Sequence, residues 1–463
     1  MSIERNRVTT DDAKLAANPA GLPHFFQKVD WVSFGVTTLL ALAVYLFTLS
    51  PEVDLDFSGF YSTAAMYPGV SISPGHPLWA IYGWLFIKLL PFSNIAWRLG
   101  VASAVAGALV CGLIALMVSR VGVLAAENIS SFKNLLPNEE KSLRVVCSCV
   151  AGLGFGFDGC FWPKAVIPDP QPLGLLLFVL TLCFLTRWFF APYQRRYLCA
   201  AAFTYGLTLA NNQSLVTAAF GLPFLVAPGN RKVGREIFFA MGVFLWSIPA
   251  TNRFLHWYDM YLPSTRHIFL LLCVIFSFTW SVLAVRTCGI LSEWKTTSIC
   301  AALFLVGLSA YFLLPVFSMT TPPMNWGYPR TVEGFFHVLN RGQFDTMNPT
   351  ASFGRLITQL GIYGKIAVNE FGSIYLLVAV IPFLVLHKMA APARKWLEGI
   401  LVVWIFVSLL TLVGLNPGPD KASVELNTPF FAASHLILAV FAGCGLMLVG
   451  AFFGRPAAAE SRC

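Results

Sequence analysis

Residues 31–50 read WVSFGVTTLLALAVYLFTLS, and residues 51–79 continue PEVDLDFSGFYSTAAMYPGVSISPGHPLW. The first block is uncharged and matches the roughly 20 residues that a helix needs to cross a bilayer core. The second carries Glu52, Asp54 and Asp56 without any Lys or Arg, and is broken at Pro68-Gly69 and at Ser73-Pro74-Gly75-His76-Pro77. An apolar run that ends in an acidic, turn-rich loop sets the pattern for reading the rest: hydrophobic spans joined by segments whose charge reports their side of a membrane.

The composition agrees. Of 463 residues, 57% are hydrophobic and 11% charged, against about 25% charged in soluble domains, and the mean hydropathy is +0.70. The apolar runs are continuous rather than alternating, so they are helices and not barrel strands. The expected fold is all-α and polytopic, with about 12 transmembrane helices near 31–50, 99–118, 145–163, 172–190, 197–210, 213–227, 236–251, 268–285, 298–317, 371–386, 397–415 and 431–453. Residues 1–30 show no cleavable signal and are expected to stay cytoplasmic, as is the tail 454–463. Of the 31 Lys and Arg, 21 fall in the segments this topology calls cytoplasmic, and residues 51–75 have none. The net charge of +9 is thereby a topology signal and a contact with anionic lipid, not a nucleic-acid footprint.

The eleven cysteines lie mostly inside spans and read as small apolar core residues. No CxxC, HExxH, Walker loop or GxGxxG opening a strand-to-helix unit occurs. Two outer segments exceed the length of connectors: 51–98, with a short apolar stretch Leu78 to Leu90 expected to lie along the interface, and 318–370, expected to hold no span. Binding and catalytic groups concentrate in such loops.

The second segment contains Pro322-Pro-Met-Asn-Trp-Gly-Tyr-Pro-Arg-Thr-Val-Glu-Gly-Phe-Phe-His-Val-Leu-Asn-Arg-Gly-Gln343. This run closely resembles the PP-x-NWG-x-PRT-x-EGF-x-H-x-x-x-RGQ segment of the protein O-mannosyltransferase-like membrane family, assigned to the GT-C superfamily of multi-spanning glycosyltransferases. Phe92-Ser-Asn-Ile-Ala-Trp-Arg98, Phe161-Trp-Pro-Lys-Ala-Val166, Gly206-Leu-Thr-Leu-Ala-Asn-Asn212 and Leu415-Asn-Pro417 are similar to further family segments, in the same order. The resemblance covers residues 31–453 and implies a GT-C-like domain with two long non-cytoplasmic loops. In the first loop, Pro51, Val53, Ser58, Gly59, Ala64 and Ala65 fall in the family's register. So do Gly69, Pro74, Gly75, Pro77 and Leu78. The family's acidic pair does not: Phe57 stands at its Asp position and Phe60 at its Glu position, Ile72 replaces its His, and His76 takes a Tyr position.

The resemblance implies an inverting transfer, which needs a base for the acceptor hydroxyl and cationic or hydrogen-bonding groups for the departing phosphate. Asp56, adjacent to the family's acid position, is the first candidate base, and Asp54 the second; a solvated loop face is the bland alternative. Asp169, between two prolines, aligns with an acidic position of the family's second outer loop and joins the catalytic set as a positioner of acceptor or donor, or else caps the next helix. Arg330 and Arg341 fall on family arginines suited to a phosphate. Glu333, His337 and Arg341 are spaced four apart, which on a helix is one polar face. Asn325 and Trp326 could hold a sugar by hydrogen bonding and stacking, and His76 joins the substrate-binding set. Asn212 and Gln213 replace the family's His pair, so metal dependence is not expected and no cofactor is implied. Asp158 is an acid near a span and a functional candidate on that ground.

The resulting expectation is a membrane glycosyltransferase. It would move a hexose, mannose foremost, from a polyprenyl-phosphate donor to a protein or glycolipid acceptor on the non-cytoplasmic face, in a bacterial inner (plasma) membrane. Its partners are membrane lipid, the lipid-linked sugar and the acceptor, with no nucleic acid. The rival is a catalytically inactive relative that binds lipid-linked sugar as a flippase-like or scaffold protein. A secondary transporter is disfavoured, because no Gly/Pro-broken hydrophobic pair recurs in matching halves.

Overall fold

A computed structural model describes residues 25–55, 57–133, 135–255, 263–342 and 348–453. Its helices, two four-residue turns aside, are α1 (Lys28–Phe47), α2 (Ser58–Met66), α3 (Pro77–Leu89), α4 (Ile95–Ala126), α5 (Pro137–Gly156), α6 (Gln171–Phe189), α7 (Arg195–Asn211), α8 (Val216–Gly229), α9 (Arg231–Leu255), α10 (Pro263–Thr287), α11 (Trp294–Leu308), α12 (Leu313–Met319), α13 (Val332–Leu339), α14 (Phe353–Phe371), α15 (Ser373–Leu384), α16 (Ala391–Leu415), α17 (Lys421–Asn427) and α18 (Ala432–Phe453). Among the described residues the only β pairing is an isolated parallel bridge, Val70 with Asn325. Each of the twelve apolar runs falls on helix.

Among the described residues, seven stretches are long and apolar enough to span a membrane: α1, α4, α6, His267–Thr287, Trp294–Met319, α16 and Lys421–Phe453. An eighth arises only if α14 and α15, bent by 106° at their junction, count together. Five or four of the twelve expected runs do not meet this length and composition on their own, for local reasons. α7 has 17 residues and opens on Arg195-Arg196, and α8 has 14 with Pro223 and Pro228 inside it. α5 and α9 spend their first turns on charged residues, Glu139 to Arg144 and Arg231 to Glu236.

The segment 318–370 holds two helices, α13 and α14. α14 buries Gln359, Tyr363, Ile366 and Ala367 and exposes an apolar stripe of Phe353, Ile357, Leu360 and Val368. Arg355, Thr358, Lys365 and Asn369 form a third, polar face. A helix with core, apolar and polar faces suits a membrane surface. It ends at Gly372, whose φ of +74° is a conformation that glycine adopts without the Cβ penalty. The expected interfacial helix is α3, which buries Trp79, Ala80 and Gly83 and exposes Ile81, Leu85 and Leu89.

At the centre, the 32-residue α4 is buried along most of its length and packs on α1, α5, α6 and α18. α7 and α11 cross at Gly206 and Gly307. A Cβ on either would lie 2.2 and 2.3 Å from carbonyls of the facing helix, so only glycine lets the backbones touch.

The two ends of the bundle differ. Asp30, Arg144, Arg195, Arg235, Glu236 and Glu293 mark the basic end, where Arg144 meets Asp30 at 2.7 Å with both buried. Asp30 also accepts from Ser119 Oγ at 2.5 Å. Arg235 donates to Glu236, Thr287, Gly289 and Ser292, and Arg195 pairs with Glu293 at 3.0 Å. The opposite end carries the two long loops.

Candidate functional site

The first loop and the 318–342 segment are one structure. Val70 N–H donates to the Met324 carbonyl at 2.9 Å, and Trp326 N–H returns the bond to the Val70 carbonyl at 3.0 Å. The approach needs Gly69, because a Cβ there would sit 2.5 Å from the Met324 oxygen. Ser73 Oγ donates to the Val338 carbonyl at the end of α13. Val70 is completely buried, and Leu314, Phe317 and Val338 pack around it.

The polar break Asn211-Asn212-Gln213, between α7 and α8, ties this pair to the bundle. Asn211 is fully buried: its Oδ1 accepts from Trp79 N–H at 3.1 Å and its Nδ2 donates to the Pro170 carbonyl at 2.9 Å. Its own carbonyl lies 2.6 Å from His76 Nδ1. Gln213 Nε2 donates to the Leu339 carbonyl at 3.1 Å. Three chain segments, at His76–Trp79, Pro170 and Leu339, therefore converge on a polar break of which two residues, Asn212 and Gln213, stand at the family's His pair. The legible signal was an amide cluster at the end of an apolar helix, where buried amides must find partners.

His76 precedes α3 in a left-handed conformation, φ 42°. Burial pushes its pKa down to about 4, with Arg341 nearby acting in the same direction and the Asn211 carbonyl opposing. The imidazole is thus neutral near pH 7, and the Asn211 carbonyl fixes Nδ1 as the donor nitrogen, leaving Nε2 as the acceptor. The Tyr61 ring stands edge-on to it at 5.4 Å.

Arg341 does not continue the helical face of Glu333 and His337. α13 ends at Leu339, and Arg341 N–H and Gly342 N–H turn back to the Val338 and His337 carbonyls. Arg341 itself takes φ 55°. This is a Schellman closure with arginine where glycine is usual. The turn takes Arg341 off the helix and toward His76 and Tyr61, where burial lowers its pKa from the ordinary value. Glu333 and His337 remain exposed on α13, Glu333 in the first turn, where a carboxylate suits the helix dipole, and His337 in the last.

Beside the Val70 bridge lies a cleft of about 400 Å³, lined in part by Thr321, Met324, Asn325, Trp326, Tyr328 and Arg330. Arg330 is exposed and lies over the Tyr328 ring at 5.7 Å. Asn325 Oδ1 and Ser318 Oγ are buried without a hydrogen-bond partner among the described residues. Trp326 meets Phe60 edge-on at 5.9 Å, and Phe60 meets Phe57 at 6.1 Å. The two phenylalanines at the family's acid positions therefore form an aromatic row that leads to Trp326.

The carboxylates are dispersed. Asp54 is exposed; its N–H donates to Ser58 Oγ and its Oδ1 accepts from Leu55 N–H, both at 2.7 Å. Asp56 lies outside the described residues. Asp169 is buried, with Oδ1 accepting from Gln171 N–H at 2.7 Å and Oδ2 3.5 Å from Lys164 Nζ. It therefore has the geometry of a charge-paired cap on α6. The two loops bring Asn325, Trp326 and Arg330 to one cleft and Arg341 near His76, and leave Asp169 at the start of α6.

A family model described as the protein O-mannosyl-transferase TMEM260 N-terminal domain matches residues 58–232, from the start of α2 through the Asn211 hub. A protein O-mannosyl-transferase tmem260 of Dictyostelium discoideum is 22% identical over 429 residues, covering 89% of this chain and 44% of the relative. The chain thus spans less than half the length of that relative. No solved structure matches. The two matches and the motifs that run from the first loop to Gly342 support a protein O-mannosyltransferase-like family for this chain.

Proposed function

We propose that the chain is a membrane glycosyltransferase that passes a hexose, mannose foremost, from a polyprenyl-phosphate donor to a hydroxyl of a protein or glycolipid acceptor. The reaction lies on the non-cytoplasmic face, with the basic end toward the cytoplasm. The observation that carries this reading is the docking of the two loops through Val70 and Met324–Trp326, which sets aromatic, amide and guanidinium groups around one cleft. The family support points the same way.

In the proposed reaction, a loop carboxylate takes the proton of the acceptor hydroxyl as its oxygen bonds to the anomeric carbon. The bond from that carbon to the phosphate oxygen breaks, and polyprenyl phosphate leaves. Asp56 is the preferred base and Asp54 the second. Arg341, near His76 and Tyr61, faces the leaving phosphate, and Arg330 meets it at the cleft rim. Asn325 Oδ1 and Ser318 Oγ, buried and unpaired, are suited to sugar hydroxyls, and Trp326 offers a ring for stacking. Asp169, with its helix-capping bond and its Lys164 partner, positions the start of α6.

Purified protein given labelled polyprenyl-phosphate mannose and a membrane-protein acceptor should release polyprenyl phosphate and label the acceptor. Asp56→Asn should abolish labelling while folding and donor binding persist. Full labelling by that variant would remove Asp56 from the mechanism. Donor binding without turnover by the unaltered protein would return the chain to the non-catalytic reading.

A further inference from the structure

A second cluster of chemistry-bearing side chains lies away from the docked loops, where the turn after α5, the start of α18 and the end of α14 meet. His435 Nδ1 is 2.6 Å from Asp158 Oδ2, across 277 residues of sequence, and both side chains are fully buried. Asp158 Oδ1 accepts from the Cys160 N–H at 2.9 Å. Cys160 is itself buried. One ligand atom each from Asp158, Cys160 and His435 lies within 4.8 Å of the others. Glu370, in the last turn of α14, accepts the Gly159 N–H through Oε2 at 2.6 Å and reaches the Asp158 side chain.

A proton shared by Asp158 and His435 accounts for one contact of this cluster. It does not account for a thiol within 4.8 Å of both groups, or for a second carboxylate that reaches Asp158. His435 Nε2 is buried with no hydrogen-bond partner among the described residues, which costs about 1–3 kcal/mol. Phe371 and Tyr363 rings stand 5.2 and 6.1 Å from the His435 ring, so apolar groups fill much of the space where a balancing partner could sit.

We propose that Asp158, Cys160 and His435, with Glu370 as the fourth donor, form a structural site for a borderline-soft divalent cation, with zinc the best match. Thiolate, imidazole and carboxylate together are a tetrahedral zinc set, whereas magnesium and calcium take all-oxygen shells. A divalent charge would offset the converging carboxylates and let the Cys160 thiol give up its proton to become a ligand. The three donors come from residues too far apart in sequence to suggest a site, so the expectation of no metal rested on ligands that only the fold gathers. The ion would clamp α5, α14 and α18 beside the Gly372 elbow. It is structural, and independent of the proposed transfer reaction.

Elemental analysis of the full chain, purified in detergent without added chelator, should find about one zinc per chain. Cys160→Ser and His435→Gln should each lower that content several-fold. Chelation should lower the melting temperature of the unaltered protein, and zinc, but not magnesium, should restore it. Protein with no zinc above background and no thermal response to added zinc would overturn the site, as would zinc content unchanged in both variants. Where the variants do not accumulate, cobalt-substituted wild type decides: a thiolate-to-cobalt charge-transfer band supports the site, and its absence overturns it.

Discussion

The basic end and the loop end hold the same bundle by different chemistry. At the basic end, charge meets charge: Arg144 with Asp30, Arg235 with Glu236, Arg195 with Glu293. At the loop end, the two docked segments are joined by main-chain bonds and neutral side chains, from Val70 and Met324 to Ser73, Asn211 and Gln213. A buried ion pair that satisfies itself offers nothing to a ligand, because displacing either partner strands the other. Neutral bracing has the opposite property. It builds a rigid wall and leaves a guanidinium such as that of Arg330, stacked on Tyr328, available to a phosphate. The contrast is what the proposed placement of the site at the less charged end rests on.

The widest break in that comparison comes from unpairing the basic end. Arg144→Met leaves Asp30 buried without its cation, and should cost about 3–5 kcal/mol of stability, read as a lower melting temperature in detergent. The fraction that still folds should keep normal donor affinity. Arg144→Met with an unchanged melting temperature would show that the pair is not a staple.

At the loop end the expected effect is on function rather than fold. Arg341→Ala should lower transfer by about 10²–10³-fold if its guanidinium meets the phosphate in the transition state. The melting temperature should move little, since the Arg341 main-chain bond to Val338 persists. Arg341→Lys should recover only part of the rate, as a point charge lacks the bidentate fork. Arg330→Ala, at the exposed rim, should act more on donor affinity than on rate. Equal losses from the two would mean that burial of Arg341 has no catalytic meaning.

What could be read from the sequence follows from which forces are local. Apolar runs of span length declare themselves one at a time, so helices were expected at the twelve runs, and the Leu78–Leu90 stretch appeared as α3. Spans are a stricter matter: α7 and α8 fall short because arginines open one and prolines interrupt the other. α14 escaped notice because its three faces average to neither apolar nor polar. The site residues on one segment, Asn325 to Arg341, could be singled out from their motif. Their bond to Val70, like that between Asp158 and His435, joins positions far apart in the chain. No periodicity carries that information. The helical face expected of Glu333, His337 and Arg341 failed for a nearer cause, the left-handed closure at Arg341 that ends α13 two residues early.

The smallest expected effect sharpens the comparison most, because it titrates the neutral bracing directly. His76 is held at about 4, below its ordinary 6.5, chiefly by burial. Above pH 6.5 the imidazole is neutral whether the chain is folded or not, and it adds nothing to the pH dependence. As pH falls below 6.5, the unfolded chain takes up a proton that the folded chain refuses until about 4, so stability must decline across that window. Aspartates and glutamates titrate nearby, but they do so equally in a His76→Gln variant, whose amide can still donate to the Asn211 carbonyl. The difference between the two melting curves therefore isolates His76: the variant should lose part of the decline between pH 6.5 and 4. Arg341→Ala removes a cation that opposes the protonated ring, so it should raise the His76 pKa and narrow the window. Superimposable curves for wild type and His76→Gln would mean that His76 reaches water freely and that the loops dock less tightly than the Val70 and Asn211 bonds require.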